Sequence, residues 1–196
     1  MRLLLLALAL PAMFIASGAT ILLIPDCGFA ASLVTAYLVL TPLLYTVRNS
    51  LVFKPRGLLK PLAVFGALWG AELLLSPYLS QYNALMKFLI EVLSTCAHWE
   101  VYFFAASVLL APIVEETIFR GMLHQEIEKR LGVLAGYVGN SMAFAVLHGL
   151  PSLIPLYFAY GLALTYAFKK GGLLSSMFLH GVNNLLAFFA ILQQPQ

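Results

Sequence analysis

Two adjacent carboxylates and a guanidinium stand inside an apolar stretch, in Ile113-Val114-Glu115-Glu116-Thr117-Ile118-Phe119-Arg120. Two imidazoles stand in other apolar runs, His148 after Phe144-Ala145-Val146-Leu147 and His180 before Gly181-Val182-Asn183-Asn184. Carboxylate, imidazole and amide together are a set that activates water. A glutamate within hydrogen-bond reach of a water molecule takes its proton. Imidazole and amide N–H groups donate to the oxyanion that develops on a scissile carbonyl. Ionisable groups in hydrocarbon are costly and rare, so their default reading is functional.

Spacing assigns these groups to helix faces. Residues four apart on a helix are neighbours, so Glu116 and Arg120 are expected to neutralise one another. Glu115 points about 100° away from Glu116 on a 3.6-residue turn, which leaves it as the carboxylate for chemistry. His180 and Asn184 share a face by the same spacing. So do Phe144 and His148, with Asn140 on their stripe and Phe144 expected to pack and shape the pocket. Glu72 lies in another apolar run, in Ala71-Glu72-Leu73, without an evident partner.

The elements that carry these residues are membrane helices. Of 196 residues, 62% are hydrophobic and only 10% charged, whereas a soluble domain has about 25% charged residues. A spanning helix needs about 20 mostly apolar residues. Seven such segments are predicted, approximately 3–24, 29–47, 61–80, 101–123, 133–149, 153–168 and 172–193. The stretch 83–98, with Lys87 and Glu91 among apolar residues, reads as an amphipathic helix at the interface. The expected fold is an all-α polytopic membrane helical bundle of about seven transmembrane helices. Residues 1–100 are expected to form N-terminal membrane helices without a usable motif, and 101–196 a core holding the candidate site in the last four helices.

Lysine and arginine placement orients the chain. With the N-terminal side taken as inside, ten of the eleven basic residues fall inside and Lys87 alone falls outside. The N-terminus is therefore expected to be cytoplasmic and the C-terminus outside, in the cytoplasmic membrane of a prokaryote. The net charge of +3 follows from this bias, and no nucleic-acid partner is read from it. The first span carries Arg2 and the small residues Ser17-Gly18-Ala19, as a signal peptide would, but its apolar run continues to Ile24 and is long enough to span. Cys27 and Cys96 both fall on the outer side. A disulfide in an oxidising compartment and two separate structural thiols are equally compatible with that placement.

Helix register brings two of the candidate residues to one depth. Segments 101–130 and 133–149 are expected to turn at Leu131-Gly132, with Glu115 sixteen residues before Leu131 and His148 seventeen after it. Equal rise then levels them. His180 reaches the same level only if the tip of this hairpin stands about 10 Å clear of the membrane, counting 1.5 Å per residue. Glu126, Glu128, Lys129 and Arg130 make the tip charged, as that requires. The uncharged turn Gly149-Leu150-Pro151-Ser152 is then expected to stop inside the membrane.

The three patterns Glu115-Glu116-Thr117-Ile118-Phe119-Arg120, Phe144-Ala145-Val146-Leu147-His148 and His180-Gly181-Val182-Asn183-Asn184 resemble the motifs of the CPBP intramembrane proteases. That family includes the type II CAAX prenyl endopeptidases and many bacterial relatives. The resemblance covers roughly residues 100–190 and implies an intramembrane endopeptidase. It implies that Glu115 is the catalytic base, with His148, His180 and Asn184 completing the site and Glu116, Arg120 and Phe144 supporting it. The substrate would be a membrane-associated peptide or protein tail, and the bilayer the other partner. Two histidines and a carboxylate could instead hold zinc with a position open for water, but the helical zinc signature of two histidines four apart around a glutamate is absent. A metal-free, glutamate-activated mechanism without a cofactor is therefore expected, with zinc as the alternative. A transporter would use buried Glu and His residues too, yet the repeated halves common in transporters are missing. A non-proteolytic membrane scaffold or immunity protein would keep the fold and drop the chemistry.

Overall fold

The structure, a computed structural model, describes residues 2–75 and 80–193. Among them are helices and no strands. Hydrocarbon selects helices, because each backbone donor and acceptor must then be satisfied within its own segment. Among the described residues six helices are long and apolar enough to cross a membrane: Leu4–Leu23, Gly28–Ser50, Pro55–Leu75, Trp99–Leu131, Pro151–Gly171 and Leu173–Leu192. A seventh apolar helix, Val133–Leu147, has 15 residues and is about 22 Å long at 1.5 Å per residue. It falls short of a hydrocarbon core about 30 Å thick. The all-α polytopic class expected from the sequence is the class found. The expected third span, 61–80, is described as far as Leu75; its last residues, 76–79, lie outside the described residues.

In chain order the helices are α1 (Arg2–Leu23), α2 (Gly28–Leu40), α3 (Leu59–Leu75), α4 (Ser80–Leu93), α5 (Trp99–Phe103), α6 (Ala111–Glu116), α7 (Gln125–Leu131), α8 (Val133–Leu147), α9 (Ile154–Gly171) and α10 (Leu173–Leu192). A 3-10 helix over Thr41–Ser50 continues α2, and π-helical stretches over Phe104–Leu110 and Thr117–His124 join α5, α6 and α7 into one long helix. The expected regular helix over 101–123 is therefore wider-wound on both sides of Glu115 and Glu116. Such π segments are rare and are often found at functional sites.

The chain forms two compact units. The first draws on the described residues of Met1–Thr46, Ala84–Val114 and Gly181–Gln196, and the second on those of Val47–Asn83 and Glu115–His180. In the first unit α1 and α2 pair closely: a Cβ on Gly28 would collide with the Ile21 backbone, and Thr20 Oγ1 donates to Thr35 Oγ1 at 3.2 Å. Its core joins Ala30, Leu93, Cys96, Trp99 and Ile191. A disulfide links Cys27 to Cys96, which decides between the two states that the sequence left open.

In the second unit the core is Phe65, Phe119, Phe144, Tyr160, Ala163, Leu164, Ala167 and Leu179. The hairpin turns where expected. Gly132 has φ +89°, a left-handed conformation that glycine adopts without penalty, and it separates α7 from α8. Along the hairpin, Gly136 lies against Glu128 and the Phe144 ring lies 5.2 Å from that of Phe119. Continuing this antiparallel register by one turn sets Glu115 level with His148. Glu72, for which the sequence offered no partner, accepts a hydrogen bond from Tyr160 Oη at 2.5 Å.

Candidate active site

The second unit gathers six of the seven sequence-predicted residues: Glu115, Glu116, Arg120, Phe144, His148 and His180. Arg120 and Glu116 are both fully buried, and Arg120 Nη1 donates to Glu116 Oε1 at 2.9 Å. This is the i,i+4 pair expected from the spacing. Arg120 Nη2 donates at 2.9 Å to the Gly161 carbonyl of α9, and its guanidinium carbon lies 4.7 Å from the Phe144 ring centroid. A guanidinium over an aromatic face is a favourable arrangement.

Glu116 does more than neutralise Arg120. Its Oε1 also lies 3.0 Å from His180 Nδ1. On the other side of the ring, His180 Nε2 lies 3.9 Å from Glu115 Oε2. One imidazole therefore stands between two carboxylates that are adjacent in sequence. Helical spacing points Glu115 and Glu116 in different directions, and the difference in direction is what lets them meet opposite edges of one ring. Arginine has no acceptor atom, so Glu116 Oε1 accepts from Arg120, and it accepts from His180 as well. The His180 proton on Nδ1 is thus committed. Nε2 is an acceptor in the neutral ring and a donor in the imidazolium. The His180 side chain is 5% exposed and that of Glu115 19%, so Glu115 is the more accessible of the two.

His148 is fixed differently. It caps the C-terminal end of α8, and its Nδ1 lies 2.7 Å from the Phe144 carbonyl oxygen one turn earlier. A carbonyl only accepts, so Nδ1 carries the proton and Nε2 is left as the outward acceptor of the neutral ring. The ring stacks on Tyr157 at 4.2 Å between centroids and meets Phe144 at 4.4 Å. Phe144 in turn meets His180 edge-on at 5.9 Å, so one buried phenyl ring touches both histidines. Gly149, at φ +70°, ends the helix immediately beyond His148.

A buried polar chain supports Arg120 from behind. The Gly161 carbonyl that holds Arg120 also accepts from Thr165 Oγ1 at 2.9 Å, and Thr165 Oγ1 accepts from Asn140 Nδ2 at 3.0 Å. Asn140, Thr165, Arg120 and Glu116 are all fully buried. Asn140 lies on the stripe read from the sequence. Gly161, Thr165 and Tyr157 carried no signal there, because a glycine carbonyl, a lone threonine and a tyrosine in an apolar helix look like ordinary packing residues. Gly161 is required by space: a Cβ there would meet Ser141 at 2.9 Å.

Asn184 belongs to the first unit. It sits one turn beyond His180 along α10, and its Nδ2 donates to the Ser107 carbonyl at 2.8 Å. Its second amide proton is not used by that bond. Among the described residues, no three His, Cys, Asp or Glu side chains are grouped closely enough to hold a metal ion.

No curated protein and no solved structure matches the chain. The model of the Rce1-like family, described as type II CAAX prenyl endopeptidase Rce1-like, matches residues 97–186. That stretch contains both carboxylates, Arg120, Phe144, both histidines and Asn184. Residues 97–186 of this polytopic helical protein thus match the family model of the Rce1-like type II CAAX prenyl endopeptidases.

Proposed function

We propose that the protein is an intramembrane endopeptidase that hydrolyses a peptide bond in a membrane-associated peptide or protein tail with water activated by Glu115. The observation that carries this reading is His180, held at Nδ1 by Glu116 at 3.0 Å and facing Glu115 across 3.9 Å at Nε2. Water between Glu115 and the outward edge of His148 gives up its proton to Glu115 as its oxygen bonds to the scissile carbonyl carbon. Negative charge moves to the carbonyl oxygen. His180, with Nδ1 held by Glu116 and a second proton on Nε2, donates to that oxygen from Nε2, and the second amide proton of Asn184 is the other donor. Collapse of the tetrahedral intermediate breaks the C–N bond. The amine leaves with a proton returned by Glu115 or passed through His148. Burial of Glu116, Arg120 and Phe144 makes these groups a rigid support rather than reactants.

Zinc is the second reading, and one feature favours it. A histidine whose Nδ1 is held by a carboxylate presents Nε2 in the way that metal-bound histidines do. A catalytic zinc takes three protein ligands, and the described residues show no such grouping, so the metal-free reading is preferred. The proposed orientation has the N-terminus and the basic loop 48–60 in the cytoplasm, with Cys27 and Cys96 on the oxidising side where their disulfide is stable.

Reconstituted protein presented with membrane-anchored peptides tests the activity, with Glu115→Gln as its control. Glutamine keeps the shape and removes the base, so the variant should fold as wild type and cleave roughly 10²–10⁴-fold more slowly. Equal cleavage by the two proteins would remove Glu115 from the mechanism.

A further inference from the structure

The second unit carries a group of cations, most of which form no ion pair with a carboxylate among the described residues. Residues 51–57 lie directly on the turn between α9 and α10. The Lys54 amide donates to the Gly171 carbonyl at 2.8 Å, and the Leu174 amide donates to the Val52 carbonyl at 3.2 Å. The backbones approach so closely that a Cβ on Gly57 would collide with the Lys170 carbonyl, and one on Gly172 with the Val52 carbonyl. This clamp brings Lys54 and Arg56 to Lys169 and Lys170, and Lys60 follows in the first turn of α3. All five are exposed.

Lys169 is paired, with Glu128 at 2.7 Å. Among the described residues Lys54, Arg56, Lys60 and Lys170 form no ion pair, and Lys170 only lies 5.8 Å from the Tyr166 ring. The carboxylates of the hairpin tip are committed elsewhere: Glu126 to Arg130, and Glu128 to Lys169 and His124. Apolar side chains interleave with the four cations, Val52 at 40%, Phe53 at 48% and Leu59 at 73% exposure. Cations beside exposed aliphatic and aromatic groups, at the ends of apolar helices, match the headgroup boundary of a bilayer. There the apolar groups enter the acyl region and the cations meet phosphate.

We propose that Lys54, Arg56, Lys60 and Lys170 form a binding site for the headgroup of an anionic phospholipid in the leaflet that faces this loop. The phosphodiester supplies the negative charge that the protein withholds. The exposed apolar groups beside it select a lipid over a free ion. The site is independent of the peptidase chemistry and holds whether or not Glu115 acts as a base.

Native mass spectrometry of the full-length protein in detergent, titrated with phosphatidylglycerol and with phosphatidylcholine, tests this. Wild type should retain phosphatidylglycerol in preference. The double variant Lys54→Gln/Arg56→Gln should lose that preference severalfold, and the quadruple variant with Lys60→Gln and Lys170→Gln tenfold or more. The control Lys87→Gln/Lys129→Gln, which removes the same charge as the double variant elsewhere, should stay within twofold of wild type. Unchanged retention in Lys54→Gln/Arg56→Gln, or an equal loss in the control, would overturn the site. The double variant keeps the test decisive if the quadruple variant fails to fold.

Discussion

At the scale of single residues, the candidate site is a question of where protons sit. His180 Nδ1 is committed to Glu116, so any hydrogen bond from this ring to a substrate comes from Nε2, which faces Glu115. Removing one donor to a developing oxyanion costs roughly 10²–10³ in rate. His180→Ala and Asn184→Ala are therefore each expected to lower kcat on this scale with little change in KM, read from full saturation curves. A loss confined to KM would make either residue a binding group. Metal dependence is decided at the same scale. Exhaustive chelation, checked by metal analysis of the purified protein, should leave turnover unchanged if Glu115 acts on water alone. Stoichiometric zinc whose removal abolishes activity and whose return restores it would establish the second reading.

At the scale of elements, the long helix Trp99–Leu131 and its antiparallel partner α8 bring the site together, and α9 braces it. Two π-helical stretches flank the short α6, so the backbone around Glu115 and Glu116 departs from regular winding where the chemistry is proposed. Behind it, Thr165 connects Asn140 on α8 to the Gly161 carbonyl that holds Arg120. Thr165→Val keeps the shape and removes the hydroxyl, leaving the Asn140 amide buried without its partner. Such an orphan costs roughly 1–3 kcal/mol, so thermal unfolding in detergent should show a clear loss of stability. Turnover should fall too if Arg120 loosens its hold on Glu116, whereas Thr165→Ser should recover both. Full activity in a destabilised Thr165→Val protein would limit this chain to a structural role.

At the scale of the whole molecule, charge placement and the disulfide make a joint prediction about orientation. The Cys27–Cys96 link blocks both native thiols, so single cysteines can be placed in the otherwise unaltered chain. Lys129 is exposed near the hairpin tip, whereas Glu128 is engaged with Lys169 and His124. A cysteine at 129 should react with an impermeant thiol reagent from the cytoplasmic side only. One at Ser152, beyond the 15-residue α8, should react slowly from either side if, as the register predicts, that turn stops at membrane depth. Rapid labelling of 152 from outside would mean that α8 crosses completely. Protein prepared with thiols blocked at lysis should run with altered mobility only after reduction, as a disulfide formed on the oxidising side requires. Free thiols at Cys27 and Cys96 in membranes would put those residues on the reducing side and reverse the topology.

Composition and spacing alone determined a great deal about this protein. Apolar runs of spanning length specify helices because no other open structure satisfies its backbone in lipid. Four-residue spacing paired Glu116 with Arg120 because helical geometry leaves them adjacent faces. Leu131-Gly132 marked the hairpin turn between two apolar segments, and counting from that turn at equal rise levelled Glu115 with His148. What lay beyond reach depended on contacts between helices distant in sequence. The second hold of Glu116, on His180, is such a contact, and so are the Gly161 carbonyl under Arg120, the stacking of Tyr157 on His148 and the Tyr160 bond to Glu72. Gly161, Tyr157 and Tyr160 have no type or spacing that distinguishes them from packing residues, and His180, though singled out by its type, carried no signal that Glu116 would be its partner. The Cys27–Cys96 link was open in the sequence for the same reason: two thiols on one side of a membrane become a disulfide only when the fold sets them side by side.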